Sequence, residues 1–204
     1  MKKYKLIIFD LIDTLADCRG LSDMNTLLEK DLGKAIVDKF IDGGNIDKIK
    51  SVEAALIKFK SITTLSEEQE KLVRQWLEWS ETFLFDDTIE TLEYLKKKGY
   101  KIAIISNSPP TTKDQLANLG IKQYFDVAIF SFEVGHRKPE KEIFLNLLNK
   151  VGAEASEALM IGDSLKYDIN GASAVGIDAI LLDRKNAASH NPKITNLLDL
   201  QKLI

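Results

Sequence analysis

Cysteine is almost absent from this chain. Cys18 is the single thiol in 204 residues, which excludes an intramolecular disulfide framework and points to a reducing compartment. A long apolar run is missing too, since no stretch approaches the roughly 18 residues that a membrane span requires. The nearest imitation is MKKYKLIIFDLIDTL, where basic residues precede an apolar run as in a signal peptide. Asp10 and Asp13 interrupt that run, and no small-residue cleavage site follows. Nor is there an excess of one charge. The 28 Lys and Arg stand against 31 Asp and Glu, a net charge of −3. With both signs interspersed there is no basic footprint for nucleic acid and no polybasic membrane patch. The two histidines, His136 and His190, lie far apart without metal-ligand spacing and read as surface residues. Repeats, low-complexity tracts and long linkers are lacking. What remains is a cytoplasmic globular protein of ordinary apolar content, 45%, long enough for one core domain carrying an insertion. Its oligomeric state is left open.

Short β-type runs recur at 4–9, 101–105, 127–131, 158–161 and 177–182, and helical patterns at 87–98, 111–119, 140–150 and 166–175 separate the later ones. Buried, β-branched runs alternating with helices predict an α/β fold built on a parallel sheet covered on both faces. Pro139 reads as a first-turn proline of one of these helices. The stretch from 16 to 85 shows no convincing strand. It reads as three or four amphipathic helices, broken near Gly43-Gly44 and Thr63-Thr64, with Ser66 and Gln69 forming a capping box. Leu72, Trp76, Trp79 and Phe83 fall at helical spacing and predict the core of that unit. The expected division is therefore a core of residues 1–15 and 86–204 with a helical cap, 16–85, inserted over the sheet's carboxyl edge.

Open parallel sheets bind ligands beyond the carboxyl ends of their strands, and those ends are chemically rich here. The first strand delivers Asp10, with Asp13 and Thr14 following; the next delivers Ser106 and Asn107; Lys138 comes later; a further strand delivers Asp163, with Asp168 close behind. Each alone has an ordinary reading as a turn former, a helix cap or a solvated charge. Together they make another proposition. Asp10, Asp163 and Asp168 converging without a cation would raise one another's pKa. A hard ion such as Mg²⁺, which takes one or two carboxylates and shares a substrate phosphate, resolves the conflict. An aspartate kept ionised beside it can attack phosphorus. Lys138 would offset charge there, and the Ser106 hydroxyl would donate to a phosphoryl oxygen.

The segments IIFDLIDTL, AIISNS, GHRKPEKEIF and MIGDSLKYDINGA, in that order, resemble the four motifs of the haloacid dehalogenase superfamily. The resemblance covers nearly the whole chain and implies a Rossmann-like core with a helical cap. It implies Asp10 as nucleophile, Ser106 and Asn107 as substrate-binding residues, and Lys138 as the charge-balancing lysine. It also implies a Mg²⁺ site made by Asp10, Asp163, Asp168 and the backbone carbonyl of Ile12. The activity implied is hydrolysis of a small phosphorylated metabolite through an aspartyl-phosphate.

One position departs from the pattern. Phosphatases of the superfamily mostly read DxDGT, where the second aspartate protonates the leaving group and later activates water. Here Ile12 holds that position and Asp13 the glycine position, with Thr14 in register. Positioned acid–base catalysis contributes roughly 10²–10⁴-fold, a small part of the ~10⁶–10¹⁷ range of enzymatic accelerations, so reduced or specialised activity is expected rather than none. Asp13 is the candidate substitute. Other branches lacking the second aspartate keep two alternatives open: a dehalogenase-like or phosphonate hydrolase, or a binding or regulatory protein. The intact GDSLKYD argues against the metal-free dehalogenase site. Cys18 reads as a small residue at the hinge of the insertion.

Overall fold

The computed structural model describes residues 3–18, 21–41, 51–77, 82–108 and 112–204. Its centre is β1 (Leu6–Phe9), four apolar residues all wholly buried. A strand apolar on both faces has to be covered on both, and neighbours flank it on each side. After β1 the chain makes a short β2 (Ala16–Asp17), then α1 (Leu21–Leu32), α2 (Lys34–Ile41), α3 (Val52–Lys60) and α4 (Glu67–Leu77), and returns through β3 (Phe83–Leu84). The remainder alternates: α5 (Thr88–Lys97), β4 (Lys101–Ser106), α6 (Thr112–Asn118), β5 (Val127–Phe130), α7 (Ser131–Val134), α8 (Lys141–Val151), β6 (Ala158–Gly162), α9 (Asn170–Ser173), β7 (Asp178–Leu182), β8 (Lys193–Ile194) and α10 (Leu200–Leu203).

Six strands form one parallel sheet in the order β5-β4-β1-β6-β7-β8. The chain leaves β1 toward β4 and β5, then crosses back to β6 on the other side. β1 therefore stands at the switch point of the winding, where an open sheet leaves a crevice. The period-two alternation of strands sorts the core into two layers. Ile7, Phe9, Ile102 and Ile104 pack with Leu92 and Leu95 of α5. Leu6, Ile8, Ala103 and Ile105 pack with Ile143, Phe144 and Leu147 of α8. The fold is α/β, a Rossmann-like sheet with helices on both faces.

The helices between β2 and β3 have an apolar core of their own. Phe40 and Phe59 meet with ring centroids 4.5 Å apart, and Trp76 stands edge-on to Phe40 at 6.1 Å. The capping box at α4 is formed in both directions: the Ser66 N–H donates to Gln69 Oε1 at 3.0 Å and the Gln69 N–H to Ser66 Oγ at 3.2 Å. Trp76 belongs to this core, and Leu72 packs against it. Phe83 does not: it lies in β3 and is 45% exposed. Trp79 and the Gly43-Gly44 break fall outside the described residues.

Other expectations need correction. The 16–85 stretch is not purely helical, because Ala16 pairs antiparallel with Leu84 and Asp17 with Phe83. Two residues per strand are too few for alternation to register in the sequence. The pattern at 166–175 is a π-turn, Leu165–Ile169, running directly into α9. Pro139 lies outside the first turn of α8, whose N-cap is Glu140.

Candidate active site

The parallel register lines up three strand ends. Phe9 stands opposite Ile104 on one side and Ile161 on the other, so Asp10 emerges beside both neighbouring strands. Its N–H extends the ladder by one bond, to the Ile161 carbonyl at 3.0 Å. β4 runs on to Ser106, which is buried. β6 ends in Gly162, with Asp163 next.

Lys138 comes from the turn between α7 and α8 and is 2% exposed. Its Nζ donates to Asp10 Oδ1 and to Asp168 Oδ1, each at 2.6 Å. Asn107 holds this turn against β4 from both ends of its amide. Oδ1 accepts the Lys138 N–H at 2.7 Å, and Nδ2 donates to the Lys138 carbonyl at 2.9 Å. The amide expected to face a ligand is engaged on the lysine's backbone through one N–H and one lone pair, with its second N–H left over. Asp168 is wholly buried, and its second oxygen accepts the Ser164 N–H at 3.0 Å. Gly162 makes room for it, because a Cβ there would overlap the Asp168 carboxyl group. Close approach, not turn geometry, requires glycine here.

One oxygen from each of Asp10, Asp163 and Asp168 lies within 4.8 Å of the others. The electrostatics follow from that crowding. Burial raises the Asp10 carboxyl above the ordinary carboxylate range, Lys138 pulls it back, and Asp168 pushes it up again; the net is upward. Burial also raises Asp163, reinforced by Asp10, Asp168 and Asp13. For Lys138 burial opposes the charge, but Asp10 and Asp168 outweigh it and hold the amine protonated. Three carboxylates around one lysine leave an excess of negative charge, and an all-oxygen donor set of this kind suits a hard divalent cation.

Two residues beyond Asp10, Ile12 is half-buried against the sheet's apolar core and bridges to Ala16. Asp13 adopts a left-handed backbone, φ 60°, a conformation that aspartate tolerates better than most residues. It borders a cleft of about 980 Å³ whose walls also include Ile12, Asn25, Asp163, Lys166 and Lys185. Burial and Asp17 raise the Asp13 carboxyl.

The structure therefore brings Asp10, Lys138, Asp163 and Asp168 together, sets Ser106 at the adjoining strand end, and puts Asp13 on the cleft wall. Sequence reasoning missed Gly162, although its place directly before Asp163 is a signal. It also missed Arg184, which no local pattern marks. That guanidinium makes two bonds to Asp87, at 3.0 and 2.9 Å, donates to the Thr14 carbonyl at 2.7 Å and stacks 3.8 Å over Phe85. Both histidines are half-buried at the surface. His136 also has company: its Nδ1 lies 3.1 Å from Glu140 Oε2, with Glu142 close by. Cys18 is half-buried, and burial with Asp13 and Asp17 pushes its thiol up to about 11, the wrong direction for a nucleophile.

A family model, haloacid dehalogenase-like hydrolase, matches residues 4–176. The ribulose-1,5-bisphosphate 5-phosphatase of Halopiger xanaduensis is 41% identical over 104 residues, 50% of this chain and 44% of that protein. The chain thus spans less than half the length of that relative. The phosphoglycolate phosphatase of Aquifex aeolicus is 30% identical over 188 residues, 87% of this chain and 84% of that one. Among solved structures, an HAD phosphatase from Thermococcus onnurineus superposes with a TM-score of 0.70 at 27% identity, covering 98% of this chain and 97% of that one.

Proposed function

The chain belongs to the haloacid dehalogenase-like hydrolases, and from that membership we propose that it hydrolyses a small phosphorylated metabolite through a phosphoryl group held on Asp10. The observation that carries this reading is the Lys138 ammonium bridging Asp10 and Asp168 at 2.6 Å beside Asp163. The relatives' names, phosphatases of small metabolites, support the substrate class.

Asp10 attacks phosphorus through a carboxylate oxygen, and the bond from phosphorus to the ester oxygen breaks. Lys138 offsets charge on the attacking carboxylate, while the Ser106 hydroxyl donates to a phosphoryl oxygen. Water then attacks the aspartyl-phosphate, the bond from phosphorus to Asp10 breaks, and inorganic phosphate leaves. Mg²⁺ bound by Asp10, Asp163, Asp168 and the Ile12 carbonyl would neutralise the carboxylates and draw charge from the phosphoryl oxygens. Ile12 has no proton to give the departing alkoxide and no basic group to take one from the water. The enzyme accordingly favours esters whose leaving groups are acidic, or turns over its phosphoenzyme slowly.

Asp13 is the titratable group nearest in sequence to the missing acid, and it lines the cleft next to Asp163. If it carries protons for the reaction, Asp13→Asn lowers kcat by ~10²-fold or more; an unchanged kcat removes it from the chemistry. The proposal as a whole is tested by phosphate release from a panel of phosphorylated metabolites with Mg²⁺ and with a chelator. Release that needs the metal supports it. Silence toward every phosphoester, with metal-independent halide release from haloacids, would replace it with a dehalogenase.

A further inference from the structure

The cleft beside the acidic cluster is walled by the core loops after β6 and β7 on one side and by the helical unit, through Asn25 of α1, on the other. Its charges are unequally paired. Of the carboxylates on its wall, Asp163 belongs to the cluster with Asp10 and Asp168. Asp183 already receives Lys193 Nζ and the Ala188 N–H, and Asp17 has a partner of its own. Among the cations, Arg184 is committed to Asp87. Two lysines remain. Lys166 and Lys185 are both exposed on the wall, and neither forms a salt bridge among the described residues. The side-chain bond of Lys166 is to the hydroxyl of Tyr167, at 3.2 Å. On the same wall stand the carboxylates of Asp13 and Asp17, and Lys185 draws the Asp13 carboxyl down without bonding it.

The facing wall is polar as well. The Trp76 indole N–H donates to Asn25 Oδ1 at 2.6 Å, which fixes the amide and leaves its Nδ2 group as the end able to bond a ligand.

Resting on the phosphatase reading, we infer that this cleft receives the substrate's leaving group and that this group carries a second anion, a carboxylate or a second phosphate, bound by Lys166 and Lys185 with the Asn25 amide. Lysine suits the task as a mobile point charge that accepts either anion without fixed geometry. In a cleft walled by protein, two such charges also raise the local concentration of anionic substrates.

The test uses the full chain with Mg²⁺ and substrates matched in size. 2-Phosphoglycolate is compared with 2-hydroxyethyl phosphate, and 4-phosphooxybutanoate with 4-hydroxybutyl phosphate; ethylene glycol bisphosphate supplies the second-phosphate arm. The expected result is kcat/KM about tenfold or more higher for the doubly anionic member of at least one pair, carried by KM. A joint Lys166→Ala, Lys185→Ala variant should bring that ratio near one, while Lys→Arg at both positions should keep it. Which anion gives the larger ratio identifies the group. Phosphate released equally from both members of every pair, or a ratio unchanged in the double alanine variant, overturns this inference alone. No phosphate from any of them, with an activated aryl phosphate and Mg²⁺ inert as well, overturns the phosphatase reading and this one with it; release from the aryl ester alone overturns this inference and leaves that reading standing.

Discussion

Lys138 joins two carboxylates that would otherwise repel each other, and a third, Asp163, feels its charge only through space. Asp10 and Asp163 both have pKa values raised in the folded state. The native protein without metal therefore holds protons that the unfolded chain has already released. With more protons bound in the native state, the stability contributed by this cluster falls as pH climbs above the ordinary carboxylate value of about 4. A divalent cation takes the place of those protons, so its binding competes with them. Mg²⁺ should accordingly raise the melting temperature more at about pH 8 than at about pH 5. Calorimetry at both pH values checks this; a larger effect at the lower pH would show that the three carboxylates are not the ligands. At this scale the sequence was legible where residue type carries chemistry, since Asp10, Lys138, Asp163 and Asp168 do converge. The fate of Asn107 was not legible. An amide's partner depends on which backbone lies opposite, and that was decided by a turn 31 residues away.

Strands and turns set these side chains in place, and the strand ending in Gly162 does so with least tolerance. Asp168 lies against that backbone and is reached through a π-turn rather than a regular helix. Gly162→Ala should displace the Asp168 carboxyl from Lys138 and from the cation while the sheet stays folded. Loss of a supporting contact of this kind typically costs 10–100-fold in metal affinity or activity. Isothermal titration with Mg²⁺ should show a drop of that order, with an unchanged far-ultraviolet spectrum. An affinity equal to wild type would mean that Asp168 does not need the close approach. The long buried strands could be read from the sequence because four or five apolar residues in a row leave few alternatives. β2, β3 and β8, at two residues each, could not, since no period fits in so short a span. The Asp87–Arg184 pair lay beyond local reading for a different reason: it spans 97 residues and joins the return from the helical unit to the loop after β7.

Taken whole, the molecule has two apolar layers, one on each face of a single six-stranded sheet, and a separate helical core between β2 and β3. The aromatic cluster of Phe40, Phe59 and Trp76 governs the second unit. Phe40→Ala should cost it about 3–5 kcal/mol, and hydrogen exchange should show lost protection in α1 to α4 with the sheet amides unaffected; uniform loss across both would mean one cooperative unit. The larger question is what the whole assembly does to a phosphoester, and Ile12 makes it specific. An intact nucleophile without its acid–base partner should form the phosphoenzyme from an activated ester faster than it hydrolyses it. Rapid-quench kinetics with an aryl phosphate and Mg²⁺ therefore test the account most directly. It predicts a burst of aryl alcohol approaching one equivalent per chain, followed by slow turnover, with both phases abolished in Asp10→Asn. A burst that survives in Asp10→Asn, or metal-dependent turnover undiminished by that substitution, would contradict it.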